Sequence, residues 1–155
     1  MNFSTHQDVD APIQYVFQRV SNFGAYERQA LRQGAHVARV DGAGPVRVGS
    51  AWNVDFTFRG KDRKLRAEIS RLDAPTSLQV VTEASGLGSE TTVVLVPLSP
   101  NTTRVNVTID LMAKSMRARV MLQSLKLAKS NLNRRFAKRV REQVSGIAGD
   151  YKRGV

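Results

Sequence analysis

The sequence predicts an α+β fold: one N-terminal strand, two short helices, a run of six antiparallel strands and one long C-terminal helix. Three observations carry that reading. Between residues 35 and 111, strand-like segments are broken by turn residues, and in "SAWNVDFTF", "KLRAEISRL" and "TRVNVTIDL" apolar side chains recur at every second position. Six such segments in succession, joined by tight turns, imply an antiparallel meander, and the N-terminal segment brings the strands to about seven. From residue 114 the apolar period lengthens to that of a helix, and neither Pro nor Gly intervenes before Gly146. At 155 residues the chain suits a single domain spanning 1–155 with one core.

Each element has its own local argument. "FSTHQDVDA" alternates weakly and reads as the first strand. Asp10 and Pro12 mark a helix start, since Pro suits the first turn and Asp can accept from free amides. Ile13, Val16, Phe17 and Val20 then follow at helical spacing, and "AYERQALRQ" forms a second short helix ending at Gly34. "SAWNVDFTF" places Trp52, Val54, Phe56 and Phe58 on one face. The last strand sets Val105, Val107, Ile109 and Leu111 against Arg104, Asn106, Thr108 and Asp110. In the C-terminal helix, predicted over 114–147 with a frayed tail at 148–155, Ala118, Met121, Leu122, Leu125, Leu132, Phe136, Val140 and Ile147 share one stripe.

Charge is distributed unevenly. The net charge is +11, yet residues 1–113 hold twelve Lys/Arg against eleven Asp/Glu, while residues 114–155 hold twelve Lys/Arg against Glu142 and Asp150 alone. Such a basic segment points to an anionic partner: nucleic acid, a membrane surface or an acidic protein. Aromatic residues that could stack on bases amount to Phe136 within the helix, and it belongs to the apolar stripe, which argues against nucleic acid. Lys126, Arg134, Lys138 and Arg141 fall on the outer side, where they suit an anionic membrane surface. Val120 and Leu127 also fall outside, leaving room for an oligomer. No apolar run reaches the ~18 residues of a membrane span, the N-terminus has no signal-peptide pattern, and cysteine is absent, so the expected location is the cytoplasm.

"DVDAPIQYVFQRVSNFGAYERQ" and "VGSAWNVDFTFRG", in this order of elements, resemble the START-like superfamily, also called SRPBCC, which includes polyketide cyclase/dehydrase and lipid-transport proteins. The resemblance covers residues 3–147. It implies a helix-grip fold, in which a curved antiparallel sheet grips the C-terminal helix around an apolar cavity. It also implies a hydrophobic cargo of lipid, quinone or polyketide type. No catalytic residue is shared across the superfamily, so the resemblance transfers none.

The expected cavity lining combines both arguments. Trp52, Phe56 and Phe58 come from one strand, Phe17, Phe23 and Tyr26 from the short helices and their junction, and Leu125, Leu132 and Phe136 from the long helix. Lys129 falls inside the stripe. Its ammonium either meets a ligand oxygen or extends to water along its apolar stem. The enzyme case is thinner. His6 and His36 are far apart, no spacing suits a metal site, and the glycines of "GAGPVRVG" do not fit a dinucleotide loop, so neither metal nor cofactor is expected. The preferred function is binding or carriage of a small hydrophobic ligand. A cyclase/dehydrase-type enzyme in the same cavity is the second reading, and a basic docking module the third.

Overall fold

The computed structural model describes residues 1–154. Strand β1 (Asn2–Val9) leads into helices α1 (Ile13–Val20) and α2 (Phe23–Arg32). A meander of β2 (His36–Arg39), β3 (Ala51–Phe58), β4 (Lys61–Asp73), β5 (Ser77–Ala84), β6 (Leu87–Ser99) and β7 (Thr102–Ala113) follows. Helices α3 (Met116–Lys126) and α4 (Lys129–Arg153) close the chain. The seven strands form one antiparallel sheet in the order β1-β7-β6-β5-β4-β3-β2, so the first strand completes the edge beside the last. Bulges at Ile69/Arg71 and Pro97/Ser99 bend its long central strands.

The core lies where α1 and the C-terminal half of α4 meet the sheet. Val9, Ala11, Val16, Phe17, Leu78, Leu95, Val105, Val144 and Ile147 form one buried cluster. Pro12 is itself the N-cap of α1 and no side chain caps that helix, so the expected Asp10 cap is not made. Ser21 and Asn22 turn the chain sharply into α2: the Ser21 hydroxyl donates to the Phe17 carbonyl (2.6 Å), and Asn22 Oδ1 accepts from the Ala25 amide (3.1 Å). That compact junction fixes where Phe23 and Tyr26 project.

The glycine-rich segment between β2 and β3 is held by charge. Asp41 accepts from Arg39 Nε (2.8 Å) and Nη2 (2.9 Å), from Ser50 Oγ (3.0 Å) and from the Ala51 amide (3.2 Å). The Arg39 guanidinium holds the Asp41 carboxyl far below the usual carboxylate range, with the amide and hydroxyl adding to it.

The C-terminal region departs from expectation in two ways. The predicted single helix over 114–147 is two helices, because the chain tightens at Leu127 and Ala128. There the amides bond three residues back, to Ser124 (3.3 Å) and Leu125 (3.0 Å), and Ala128 leaves helical geometry (φ −108°, ψ 15°). Residues 148–153, expected to fray, continue α4. Tyr151 packs on Tyr15 (centroids 5.0 Å), Arg19 pairs with Asp150 (2.7 Å), and Gly154 ends the helix in the left-handed conformation. Helix α3 starts against the β5–β6 turn: Ser115 accepts from the Ala118 amide (3.1 Å), and Lys114 donates its amide to the Gly86 carbonyl (2.7 Å). Gly86 has φ +79°, and a Cβ there would collide with the Ser115 side chain, so only glycine fits.

Candidate functional site

Between the sheet and α4 lies a cavity of about 600 Å³. Its floor is built by cross-strand rows on the inner face of the sheet. Leu78, Val93 and Val107 stand side by side on β5, β6 and β7, and Val80, Thr91 and Ile109 form the next row. The second row continues to Phe3 on β1, whose ring meets Phe136 edge-on (6.3 Å). Phe136, Arg139, Val140, Gln143 and Val144 of α4 form the opposite wall. Val20, Phe23 and Tyr26 close the side.

A cavity survives here because α4 rests on β1 and on α1, at one side of the bent sheet. At the far side α2 covers β2 and β3 instead. The inner face of β5–β7 between these two supports is left without a close partner. A smaller chamber of about 230 Å³ lies under α2, lined by Glu27, Ala30, Val37, Trp52, Val54 and Ala67. Phe23, Tyr26 and Val80 line both chambers.

Polar groups around these spaces are few. Trp52 is 5% exposed; its Nε1 donates to Glu27 Oε1 (2.5 Å), the Phe23 ring lies 5.5 Å away, and the Arg39 guanidinium approaches its ring at 5.9 Å. This clamp fastens α2 to β3. The Tyr26 hydroxyl donates to the Val20 carbonyl (2.8 Å), and burial pushes its phenol above the ordinary value, partly offset by the Arg19 charge. Arg139 is the one charged residue lining the larger cavity, and among the described residues nothing pairs with its guanidinium.

Of the residues expected at the site, the structure brings Phe23, Tyr26 and Phe136 to the larger cavity and Trp52 to the smaller one. Phe17 is in the core, 8% exposed, and lines neither. Phe56 shares the inner side of β3 but borders a separate surface depression with His36 and Arg63. Phe58 is 53% exposed, flanked by the guanidinium groups of Arg59 (5.3 Å) and Arg63 (5.6 Å), because α2 does not reach the end of β3. Leu125 and Leu132 are half-buried but lie away from the cavity. Lys129 is exposed, as is every residue over 126–131. Helical phase put it on the apolar side, but no part of the sheet covers that turn, so it contacts no cavity.

Sequence reasoning passed over the floor and Arg139. The signal for the floor was present, since β7 alternates as strictly as β3. Arg139 follows Phe136 by three residues, at the flank of the stripe, where its charge reads as an outer-face residue.

No protein-family model and no curated protein sequence matches this chain. Solved structures match it in shape. Norcoclaurine synthase from Thalictrum flavum, a point mutant in complex with a transition state analogue, gives a TM-score of 0.66 at 14% identity over 98% of this chain and 96% of that one. The aromatase/cyclase Zhui from Streptomyces sp. R1128 gives 0.64 at 15% identity, over 97% and 94%. A protein of Thermus thermophilus gives 0.62 at 16% identity, over 93% and 97%. At these identities the likeness establishes the fold: the chain has the helix-grip fold of START-like proteins.

Proposed function

We propose that this protein binds or carries a small, elongated hydrophobic ligand with an anionic head, its apolar body on the β5–β7 floor and its head at Arg139. The observation that carries this reading is the lining itself. Two cross-strand rows, aliphatic but for Thr91, face a cavity of a size suited to a small ligand, and one unpaired guanidinium stands beside it. A guanidinium matches a carboxylate in two parallel hydrogen bonds, so a fatty-acid-like or aromatic-acid ligand uses both features. The fold supports the reading at a coarser level, since one similar structure holds a transition state analogue and another is named an aromatase/cyclase.

A test compares a long-chain fluorescent fatty acid with its methyl ester. Wild type is expected to prefer the acid, and Arg139→Gln to weaken the acid by roughly ten- to a hundred-fold, to the level of the ester. Filling the floor with Val107→Trp is expected to abolish binding of both. If wild type takes up neither probe, or Val107→Trp leaves both unchanged, the assignment of the cavity fails.

The second reading is a cyclase-type enzyme in the same space. Glu27 favours it, because it brings a carboxylate to the apolar smaller chamber, although that carboxylate already accepts from Trp52. Turnover of a captured ligand that Glu27→Gln removes, with binding intact, would decide for the enzyme.

A further inference from the structure

Helix α3 has two apolar sides, and the fold uses only one. At about 100° per residue, Ala118, Leu122 and Leu125 lie together, and they are buried or half-buried against the body. Met116 and Val120 lie on the opposite side, and Leu127 continues that line into the turn before α4. Their exposures are 70%, 59% and 93%. Leu127 is the most exposed large apolar residue among those described. A side chain left in water to this degree, in line with two others, is an unused contact surface.

Charge surrounds this stripe. Over residues 111–141 the chain has ten Lys/Arg and neither Asp nor Glu. Within that stretch Lys114 pairs with Glu83 and Lys138 with Glu142. Arg117, Arg119 and Lys126, which flank the stripe, and Lys129 in the turn after it have no acidic partner among the described residues. An aliphatic line bordered by unpaired cations is the pattern of a helix that lies in a bilayer interface.

We propose that α3 and the α3–α4 turn dock on an anionic lipid bilayer, with Leu127, Val120 and Met116 entering the headgroup–acyl boundary and the flanking Arg and Lys on lipid phosphates. A second copy of this chain would set one acid-free basic stretch against another, so like-charge repulsion opposes a dimer through this surface. Nucleic acid would use the cations but leave the aliphatic stripe without a partner, since Met, Val and Leu offer no flat face for a base. A bilayer of anionic lipid satisfies both. The docked turn leads straight into α4, and Phe136 at the cavity wall lies nine residues beyond Leu127, roughly 14 Å along a helix. Docking therefore places the cavity wall close to the membrane surface, although the proposal holds whether or not the cavity carries a lipid.

The experiment is flotation of the full chain with phosphatidylcholine vesicles, with and without phosphatidylglycerol, at low and high salt. Binding is expected only with phosphatidylglycerol and is expected to weaken as salt rises. Val120→Ser combined with Leu127→Ser is expected to lower that binding by about tenfold or more, with the fold unchanged by circular dichroism. Leu98→Ser, which removes an exposed apolar residue on β6 (47%), is the control and is expected to bind as wild type. Equal affinity for both vesicle types overturns the proposal. So does anionic binding that the double serine variant retains in full, a dimer in sedimentation that this variant dissociates, or preference for a short single-stranded DNA over anionic vesicles.

Discussion

The two ends of α4 meet opposite fates. At the C-terminal end, Val144 and Ile147 are 7% and 5% exposed, and Asp150 and Tyr151 tie the last turns to α1 through Arg19 and Tyr15. At the other end, residues 126–131 are exposed throughout. Between them, Phe136 leans on Phe3 and borders the cavity. A stripe says which way side chains point. Burial requires a partner at that distance along the axis, and α1 supplies one at only one end. The anchored end is tied to α1 and the sheet, and the other end is left in water.

The sharpest way to break this contrast is to truncate the anchored end. Ile147→Ala is expected to cost about 2–5 kcal/mol in urea unfolding, because it leaves a void between α4, α1 and the sheet. A loss under about 0.5 kcal/mol would mean that the C-terminal end is no better held than the rest.

A smaller effect belongs to the ion pair at the same end. The Arg19 hydrogen bond holds the Asp150 carboxyl below its ordinary value, with Arg153 adding to it. A depressed carboxylate contributes stability that is complete above its unfolded pKa and disappears as pH falls through the folded value. The contribution is therefore present at neutral pH and fades below about pH 4. Asp150→Asn is expected to lower the thermal midpoint at neutral pH and to flatten the acid side of the stability profile. Identical profiles for variant and wild type would show that the pair does not anchor the helix.

Least of all is expected from Lys129. Since it faces water at the free end, Lys129→Met should change neither stability nor fatty-acid affinity by more than about 0.5 kcal/mol, as read by thermal melts and fluorescence titration. A tenfold loss of affinity would bring this residue back to the site and end the distinction between the two ends.

How far the sequence could be read follows the same line. Period-two alternation in β3 and β7, and the helical spacing of Ile13, Val16, Phe17 and Val20, are local properties of the backbone, so element types and order were legible. The resemblance of residues 8–29 and 48–60 to START-like proteins supplied the architecture. Of the lining of the two chambers, Phe23, Tyr26, Trp52 and Phe136 were legible. Each of these sits where an inward-pointing position and a neighbouring element coincide.

What the chain determined by itself was direction: the inner face of each strand, the stripe of each helix, and the concentration of positive charge after residue 113. The tertiary structure alone decided depth. It left Phe58 uncovered past the reach of α2, took Phe17 into the core, exposed the turn carrying Lys129, and made the cavity floor from rows that join β5, β6 and β7. The physical reason is that periodicity is set by bonds within one segment. The space over a side chain is set by where other segments end, and here α4 rests on β1 and α1 rather than across the sheet.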